Sequence, residues 1–223
     1  MKTKTKDFIE IEYTGSITSK DIIFDTTSEK VAKDNNIFNP QHKYKTQIIC
    51  IGEQQVVPGL DEFLKDKEIN KDYTLNLPTE KAFHKKNPKL LRLIPTSKFK
   101  EQKINPYPGL QVNIDGKMGV IKTAGGGRSI VDFNHPLAGQ DITYKVKILK
   151  IIKDIKTKLD SLIDLYLPIP FTSTLKDNIA TIKFSTEFPD IITKQITEKI
   201  KTLIPSIKKV NIEYTKQKDT IKE

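Results

Sequence analysis

Alternation of polar and apolar residues predicts a half-buried sheet. In residues 8–14, Ile9, Ile11 and Tyr13 fall on one face, which is the period of two expected of a strand with one buried side. The same period returns in residues 73–77 and again in 142–148. A β-branched run at 47–51 predicts a further strand, and a short helix at 60–64 begins behind Pro58 and Gly59.

Two other stretches interrupt this pattern. Residues 28–44 are polar and predict a flap or loop. Residues 83–133 are divided by Asn-Pro and Pro-Gly pairs into short strands at 111–115, 119–123 and 129–133. The glycine run 125–127 joins the last two as a hairpin. We therefore expect a small β-rich unit inserted into the sheet, which resumes at residue 141.

The chain after residue 154 predicts a separate α+β module. We expect a strand at 161–167, a proline-bounded turn, a strand at 178–185, a helix at 190–203 and a strand at 209–214. The helix is indicated by Ile192, Ile196 and Ile200, which recur at the helical period, and by Pro205, which follows its C-terminal end.

Composition narrows the class of protein. The 223 residues carry a net charge of +10, yet only Arg92 and Arg128 are arginines, so lysine supplies nearly all of the positive charge. Lysine lacks the planar fork suited to bidentate base contacts, which argues against specific nucleic-acid binding. The single Cys50 excludes an internal disulfide and fits a reducing compartment. Without an apolar run of signal or membrane-span length, a cytoplasmic protein that binds no membrane is expected.

Six motifs occur along the first two thirds of the chain. They are a strand ending in Tyr13, the pair Phe24-Asp25, IGEQQVVPGLDEFL from Ile51, PTEKAF ending at Phe83, KLLRLIPTSKF ending at Phe99, and DFNHPLAG from Asp132.

Their order resembles that of FKBP-type peptidyl-prolyl cis-trans isomerases of the SlyD-like kind, and in particular the archaeal long-chain FKBPs. The resemblance implies an α+β fold in which an FKBP half-barrel antiparallel sheet with a short helix carries an inserted β-rich flap domain. The implied domains are the isomerase domain at 1–83 and 134–153, the insert-in-flap domain at 84–133 and the C-terminal α+β domain at 154–223.

The resemblance also implies an apolar bowl that binds the X-Pro bond. Its residues would be Tyr13, Phe24, Asp25, Val56, Val57, Leu60, Phe83 and Tyr144. Asp25 would be the one charged group at the edge, and the Val57 N–H would hold a substrate carbonyl.

Two positions depart from the small FKBPs. Leu60 stands where they have tryptophan, and Phe83 stands where a tyrosine hydroxyl is expected. Loss of that hydroxyl removes a hydrogen bond of about 0.5 to 1.5 kcal/mol net, so weakened activity is expected. Taken singly, most of these residues would be interpreted as core positions, and Asp25 could be a turn or cap residue. The order of the motifs favours the site.

No cofactor or metal is expected. His42, His84 and His135 are far apart in sequence and lack cysteine partners, and the chain ends in KQKDTIKE where SlyD proteins often carry a metal-binding tail. The expected function is isomerisation of X-Pro bonds in folding proteins, with capture of unfolded chains by the insert; the alternative is a holding chaperone or assembly factor with weak isomerase activity. Unfolded proline-containing polypeptides are the expected partners, and a homodimer through the C-terminal domain is a further expectation.

Overall fold

The computed structural model describes residues 1–214, where strands and short helices alternate. The strands are β1 (Phe8–Ile17), β2 (Ile22–Thr26), β3 (Gln47–Cys50), β4 (Asp72–Leu77), β5 (Leu91–Pro95), β6 (Gln111–Ile114), β7 (Lys117–Gly125), β8 (Arg128–Asp132), β9 (Ile142–Ile151), β10 (Phe171–Lys176), β11 (Ile179–Phe184) and β12 (Lys209–Tyr214). The α-helices are α1 (Glu29–Asp34), α2 (Pro58–Phe63), α3 (Thr96–Glu101), α4 (Ile155–Tyr166) and α5 (Asp190–Leu203). Within residues 1–214, no helix is both long and apolar enough to cross a bilayer.

The chain forms two compact units. The first contains Met1–Ser16, Ile22–Leu75 and residues 143–214. The second contains Ile17–Asp21 and Asn76–Ile142. The predicted α+β fold is confirmed, since mostly antiparallel sheets are combined with few helices.

The predicted half-buried sheet contains five strands in the order β2-β1-β9-β4, with β3 antiparallel to the first half of β1. Ile9, Ile11 and Tyr13 are buried on one face, as the alternation predicts. Phe8 is also buried although it points to the opposite face. The first half of β1 is therefore covered on both sides.

Two helices border this sheet. Helix α2 begins at Pro58, two residues before the predicted start, because the fixed φ of proline suits the first turn of a helix. Helix α1 lies within the stretch 28–44 that was predicted as a flap or loop. The Ser28 hydroxyl accepts the Val31 N–H at 3.4 Å and caps this helix, while Ala32 is its one buried residue. One buried residue does not produce the helical period of apolar residues by which a helix is recognised in the sequence.

The second unit contains a four-stranded antiparallel sheet in the order β5-β8-β7-β6. Its small core consists of Phe99, Val112, Ile114, Ile121 and Val131. The predicted hairpin joins β7 to β8, and Gly126 and Gly127 occupy its turn with φ of 58° and 77°. Glycine is needed there because other residues rarely adopt such angles.

The strand predicted at 161–167 is wrong, because this stretch is the C-terminal part of helix α4. The Asp154 carboxylate accepts the Thr157 N–H at 2.7 Å, which caps the helix. Leu159, Leu162 and Ile163 then bury one helical face. The short apolar run fits both the strand period of two and the helical period of 3.6 residues, and the N-cap decides in favour of the helix.

A three-stranded sheet follows α4. Strand β10, which the sequence pattern did not predict, pairs antiparallel with β11, and β11 pairs parallel with β12 through the crossover helix α5. The helix predicted at 190–203 and the strand predicted at 209–214 match α5 and β12.

One core joins this C-terminal segment to the first sheet. Phe8, Cys50 and Ile152 are buried in the same cluster as residues of α4, β11 and α5. The C-terminal segment is thus part of the first unit. The homodimer was expected because a small isolated core would need cover, and the shared core supplies that cover. The predicted domain boundaries and the dimer stay predictions.

Candidate active site

Three aromatic rings of the predicted bowl meet on the first sheet. The Tyr144 ring on β9 lies edge-on to the Tyr13 ring on β1, with centroids 5.9 Å apart, and to the Phe24 ring on β2 at 6.0 Å. Edge-to-face pairs of this kind place the positive rim of one ring against the negative face of another. The structure therefore brings residues 13, 24 and 144 into one aromatic cluster.

Gly15 makes room for this cluster. A Cβ atom at this position would lie 2.7 Å from Phe24 Cζ and 2.9 Å from Tyr144 Cε1, which is closer than packed carbon atoms approach. In the sequence, Gly15 only follows the stretch 8–14 that predicts a strand. The signal was present as the triplet Tyr-Thr-Gly, but its meaning depends on rings from two other strands.

Asp25 lies beside the rings and accepts a hydrogen bond from the hydroxyl of one of them. The Tyr13 hydroxyl donates to Asp25 Oδ2 at 2.9 Å. Burial, followed by the charge of Asp25 and this hydrogen bond, raises the pKa of Tyr13 well above its ordinary value of 10. Burial, followed by the charge of Asp25, also raises the pKa of Tyr144. Both phenols therefore remain neutral, and the Tyr13 hydroxyl acts as a donor.

The raised pKa values predict a loss of stability at alkaline pH. The unfolded tyrosines ionise near pH ~10, so the stability from the buried neutral phenols is complete below that pH and is lost as the pH rises towards the folded pKa. At one pH unit above 10, each tyrosine should cost about 1.4 kcal/mol of unfolding free energy. The unfolding free energy can be measured by urea denaturation at mildly and at strongly alkaline pH. Its drop between the two pH values should be smaller in Tyr144→Phe than in wild type by this amount. Equal losses would contradict the assignment.

Val56, Val57 and Leu60 lie where the loop before α2 enters that helix. The Val57 carbonyl accepts the N–H groups of Leu60 at 2.9 Å and Asp61 at 3.1 Å, while Leu60 is buried. Within residues 1–214, the Val57 N–H has no hydrogen-bond partner. An unused backbone donor at a helix start is available to a ligand oxygen.

Phe83 belongs to the second unit, unlike the other seven predicted residues. Its ring stacks on the His135 imidazole with centroids 4.6 Å apart and planes parallel within 1°. His135 Nδ1 accepts the Leu137 N–H at 3.2 Å, and the His135 carbonyl accepts the Ala138 N–H at 2.9 Å. His135 thus holds a turn, and the role of Phe83 stays a prediction.

Other candidate chemistry in the described chain is limited. Within residues 1–214, no group of three or more His, Cys, Asp or Glu side chains could hold a metal ion. The tail KQKDTIKE, used in the sequence to argue against metal binding, lies outside these residues. Burial, followed by the charge of Glu53, raises the pKa of Cys50 to about 12, so this thiol is a poor nucleophile at neutral pH.

A groove of about 870 Å³ adjoins the aromatic cluster on the first unit. It is lined by residues of the stretch 41–48 and by one face of α4. Of the eight predicted bowl residues, Tyr13 alone is among its lining residues. The groove therefore meets the aromatic cluster at Tyr13 and is not lined by the other two rings.

The architecture and the cluster together define a class of protein. An antiparallel sheet, a short helix that begins at a Val-Pro-Gly turn, and aromatic rings gathered beside one aspartate are the features of an FKBP domain. The sequence profile described as FKBP-type peptidyl-prolyl cis-trans isomerase matches residues 1–101, and the profile described as FKBP26, IF domain, matches residues 92–137.

Known proteins agree with this assignment. A short-type peptidyl-prolyl cis-trans isomerase of Methanocaldococcus jannaschii is 26% identical over 145 residues, which are 65% of this chain and 91% of that protein. An FKBP-type 16 kDa peptidyl-prolyl cis-trans isomerase of Escherichia coli is 30% identical over 112 residues, which are 48% of this chain and 74% of that protein. A probable FKBP-type 16 kDa isomerase of Pseudomonas fluorescens is 31% identical over 106 residues, covering 45% and 69% respectively. The chain belongs to the family of FKBP-type peptidyl-prolyl cis-trans isomerases.

Proposed function

We propose that the aromatic cluster beside Asp25, together with the loop that enters α2, is the isomerase site. The observation that carries this proposal is the Tyr144 ring of β9 edge-on to one ring from β1 and one from β2, with a single carboxylate hydrogen-bonded to the β1 ring's hydroxyl. Tyr13, Phe24 and Tyr144 would form the wall of the bowl, and Val56, Val57 and Leu60 would complete it. The part of Phe83, which belongs to the second unit, stays a prediction.

This site needs no nucleophile. Rotation about the X-Pro bond meets a barrier of about 18 to 20 kcal/mol because the planar amide has partial double-bond character. An apolar bowl solvates the charge separation of the planar amide poorly and so favours the twisted transition state. The unused Val57 N–H would hold a substrate carbonyl while the bond turns.

A second part of the proposal concerns the sheet of the second unit. Leu91 and Leu93 on the edge strand β5 are exposed, Leu93 by 54%. Val120 pairs with Asp132, and Asp132 pairs with Leu91, so Val120 and the two leucines share one face of the sheet. Met118 lies two residues before Val120, so its side chain, which is 60% exposed, is on that face as well. This face is opposite the buried Ile121 and Val131. We name Leu91, Leu93, Met118 and Val120 the outer face.

The outer face has the properties of a weak site for unfolded chains. It combines exposed apolar side chains with two sheet edges, β5 and β6, to which an extended chain can add. The second unit is continuous in the chain with the first, so a client held there stays at high effective concentration around the isomerase site. Capture of this kind would serve protein substrates and would matter little for short peptides.

Two assays test both parts. Catalytic amounts of wild type should accelerate a proline-limited refolding phase and the isomerisation of a short proline peptide. A variant with Leu91→Ser and Leu93→Ser should keep peptide activity within about twofold while its refolding activity falls about tenfold or more. A variant with Ile179→Ser and Ile191→Ser, which removes exposed isoleucines of the first unit, is the matched control and should change neither activity.

The outcomes separate the alternatives. If wild type leaves both proline-limited processes unchanged, the isomerase proposal fails. If it suppresses aggregation of an unfolded protein without accelerating refolding, the holding chaperone is the correct function. Equal losses on peptide and protein in the leucine variant would show that the outer face supports the fold or the site and does not capture clients.

A further inference from the structure

The loop at 52–57 presents Val56 and Val57 to the proposed site, and α2 fixes it from one side. The buried Asp61 carboxylate accepts the Gly52 N–H at 2.8 Å and the Gln54 N–H at 2.9 Å. These bonds hold the first half of the loop. The side chains of Glu53 and Gln55 take no part in these two bonds.

Both of these side chains reach the C-terminal helices of the same unit. Glu53 forms an ion pair with Lys199 of α5, and the Lys199 ammonium lies 5.9 Å from the centre of the Tyr166 ring on α4. Gln55 accepts the Cys50 N–H through its Oε1 at 2.7 Å, and its Nε2 is 3.5 Å from the Tyr166 hydroxyl. The loop is therefore attached to α5 through Glu53 and to α4 through Gln55.

Burial makes this ion pair different from fully exposed ion pairs of the same unit. The Glu53 side chain is 16% exposed and that of Lys199 38%, whereas both side chains of the Lys183–Glu213 pair, on β11 and β12, are at least half exposed. An exposed pair contributes little because water screens it. Glu53 has lost most of its water, so removal of Lys199 would leave a poorly solvated carboxylate. The hydrogen bond that Lys199 donates to Glu53 also raises the pKa of Lys199, because the carboxylate favours the charged ammonium.

Helix α2 and strand β3 are regular elements, whereas Gly52 and Gln54 have positive φ angles of 92° and 52° and belong to an irregular turn. A backbone shift of this turn that exposes the Glu53 carboxylate to water would pass to the peptide units that follow it. Val57 is four residues further along.

We propose that Glu53 and Lys199 are positioning residues for the isomerase reaction, through which the C-terminal helices set the orientation of the Val57 N–H. This inference rests on the proposed function of the bowl. It gives the C-terminal segment a part in the reaction that does not require it to touch substrate. The pair acts through the loop, so its effect falls mainly on peptide binding.

The test compares substitutions of Lys199 that differ in charge. Lys199→Met removes the cation and keeps the length of the side chain, and it should weaken binding of a short proline peptide by about fivefold, because small misplacements of a binding group have large effects. Lys199→Arg keeps the cation and should bind the peptide as wild type does. Lys183→Met, which breaks the exposed pair with Glu213, is the control and should have no effect on peptide affinity.

Two readouts keep the test independent of folding and of catalysis. A merely structural loss would lower the fraction of active protein and kcat while leaving the peptide Kd unchanged, whereas a positioning role raises the Kd. The amide resonance of Val57 in the peptide-free protein should shift in Lys199→Met and stay in place in Lys199→Arg and Lys183→Met.

Two results would overturn the inference. They are an unchanged Kd and Val57 resonance in Lys199→Met, or a loss in Lys199→Arg as large as in Lys199→Met. An inactive wild type whose Val57 resonance still responds to Lys199→Met would refute the isomerase proposal and leave the mechanical link intact.

Discussion

Truncation after Lys153 is expected to leave the remaining chain largely unfolded. Phe8, Cys50 and Ile152 are almost fully buried in the core shared with α4, β11 and α5, and the truncation would expose them to water. Exposing a large apolar side chain costs about 1.5 to 3 kcal/mol, and Phe8 and Ile152 alone would lose much of a total stability of about 5 to 15 kcal/mol. Circular dichroism and urea denaturation of the truncated protein measure the loss.

The control for this truncation is a substitution at the surface of the C-terminal segment. Ile191→Ser changes a residue of α5 that is 65% exposed and lies outside the shared core, and it should leave the urea midpoint unchanged. A truncation after Lys153 that unfolds cooperatively with the same midpoint as the full chain would mean that the C-terminal segment is an independent domain, as the sequence alone suggested.

Gly15→Ala is expected to lower peptide isomerase activity by about ten- to a hundredfold while the protein stays folded. The new methyl group would overlap the rings of Phe24 and Tyr144, which must move away from their edge-to-face arrangement. Overpacking of this kind costs about 1 to 3 kcal/mol of stability, and a shift of about 1 Å in a binding wall can cost a hundredfold in rate. Peptide kcat/KM and the thermal midpoint separate the two effects.

Gly125→Ala is the matched control for Gly15→Ala. Gly125 lies on β7 of the second unit, where a Cβ atom would meet nothing within 4 Å and the backbone needs no positive φ. This variant should match wild type in both measurements. Activity of Gly15→Ala within twofold of wild type would mean that the three rings do not form the catalytic wall.

The sequence predicted correctly those elements whose apolar period and end signals both lie within or next to the element itself. The helix at 190–203 has an isoleucine stripe and a proline behind its end, and the hairpin at β7 and β8 has glycines where positive φ is required. The strand predicted at 161–167 failed because a short apolar run fits both periods. The N-cap at Asp154 that decides for a helix lies outside that run.

The candidate site shows the same limit. The order of the motifs selected Tyr13, Phe24, Asp25 and Tyr144, and the structure places these four side chains together. The part played by Gly15 could not be predicted, since it depends on rings from two strands distant in sequence. The contact between Glu53 and Lys199 joins positions separated by most of the chain, and neither residue carries a local sign of its partner.

The position of the second unit in the chain has a consequence for chain entropy. It is entered from β4 and left into β9, and these two strands are hydrogen-bonded neighbours in the first sheet. The Thr79 N–H also donates to Asp141 Oδ1 at 2.8 Å, so whatever lies between these residues is a loop whose ends are held close together. The cost of closing such a loop rises only with the logarithm of its length, by about 0.6 kcal/mol for each doubling. The sheet can thus tolerate a connection of almost any length at this point, which leaves the size of the inserted unit free to vary during evolution.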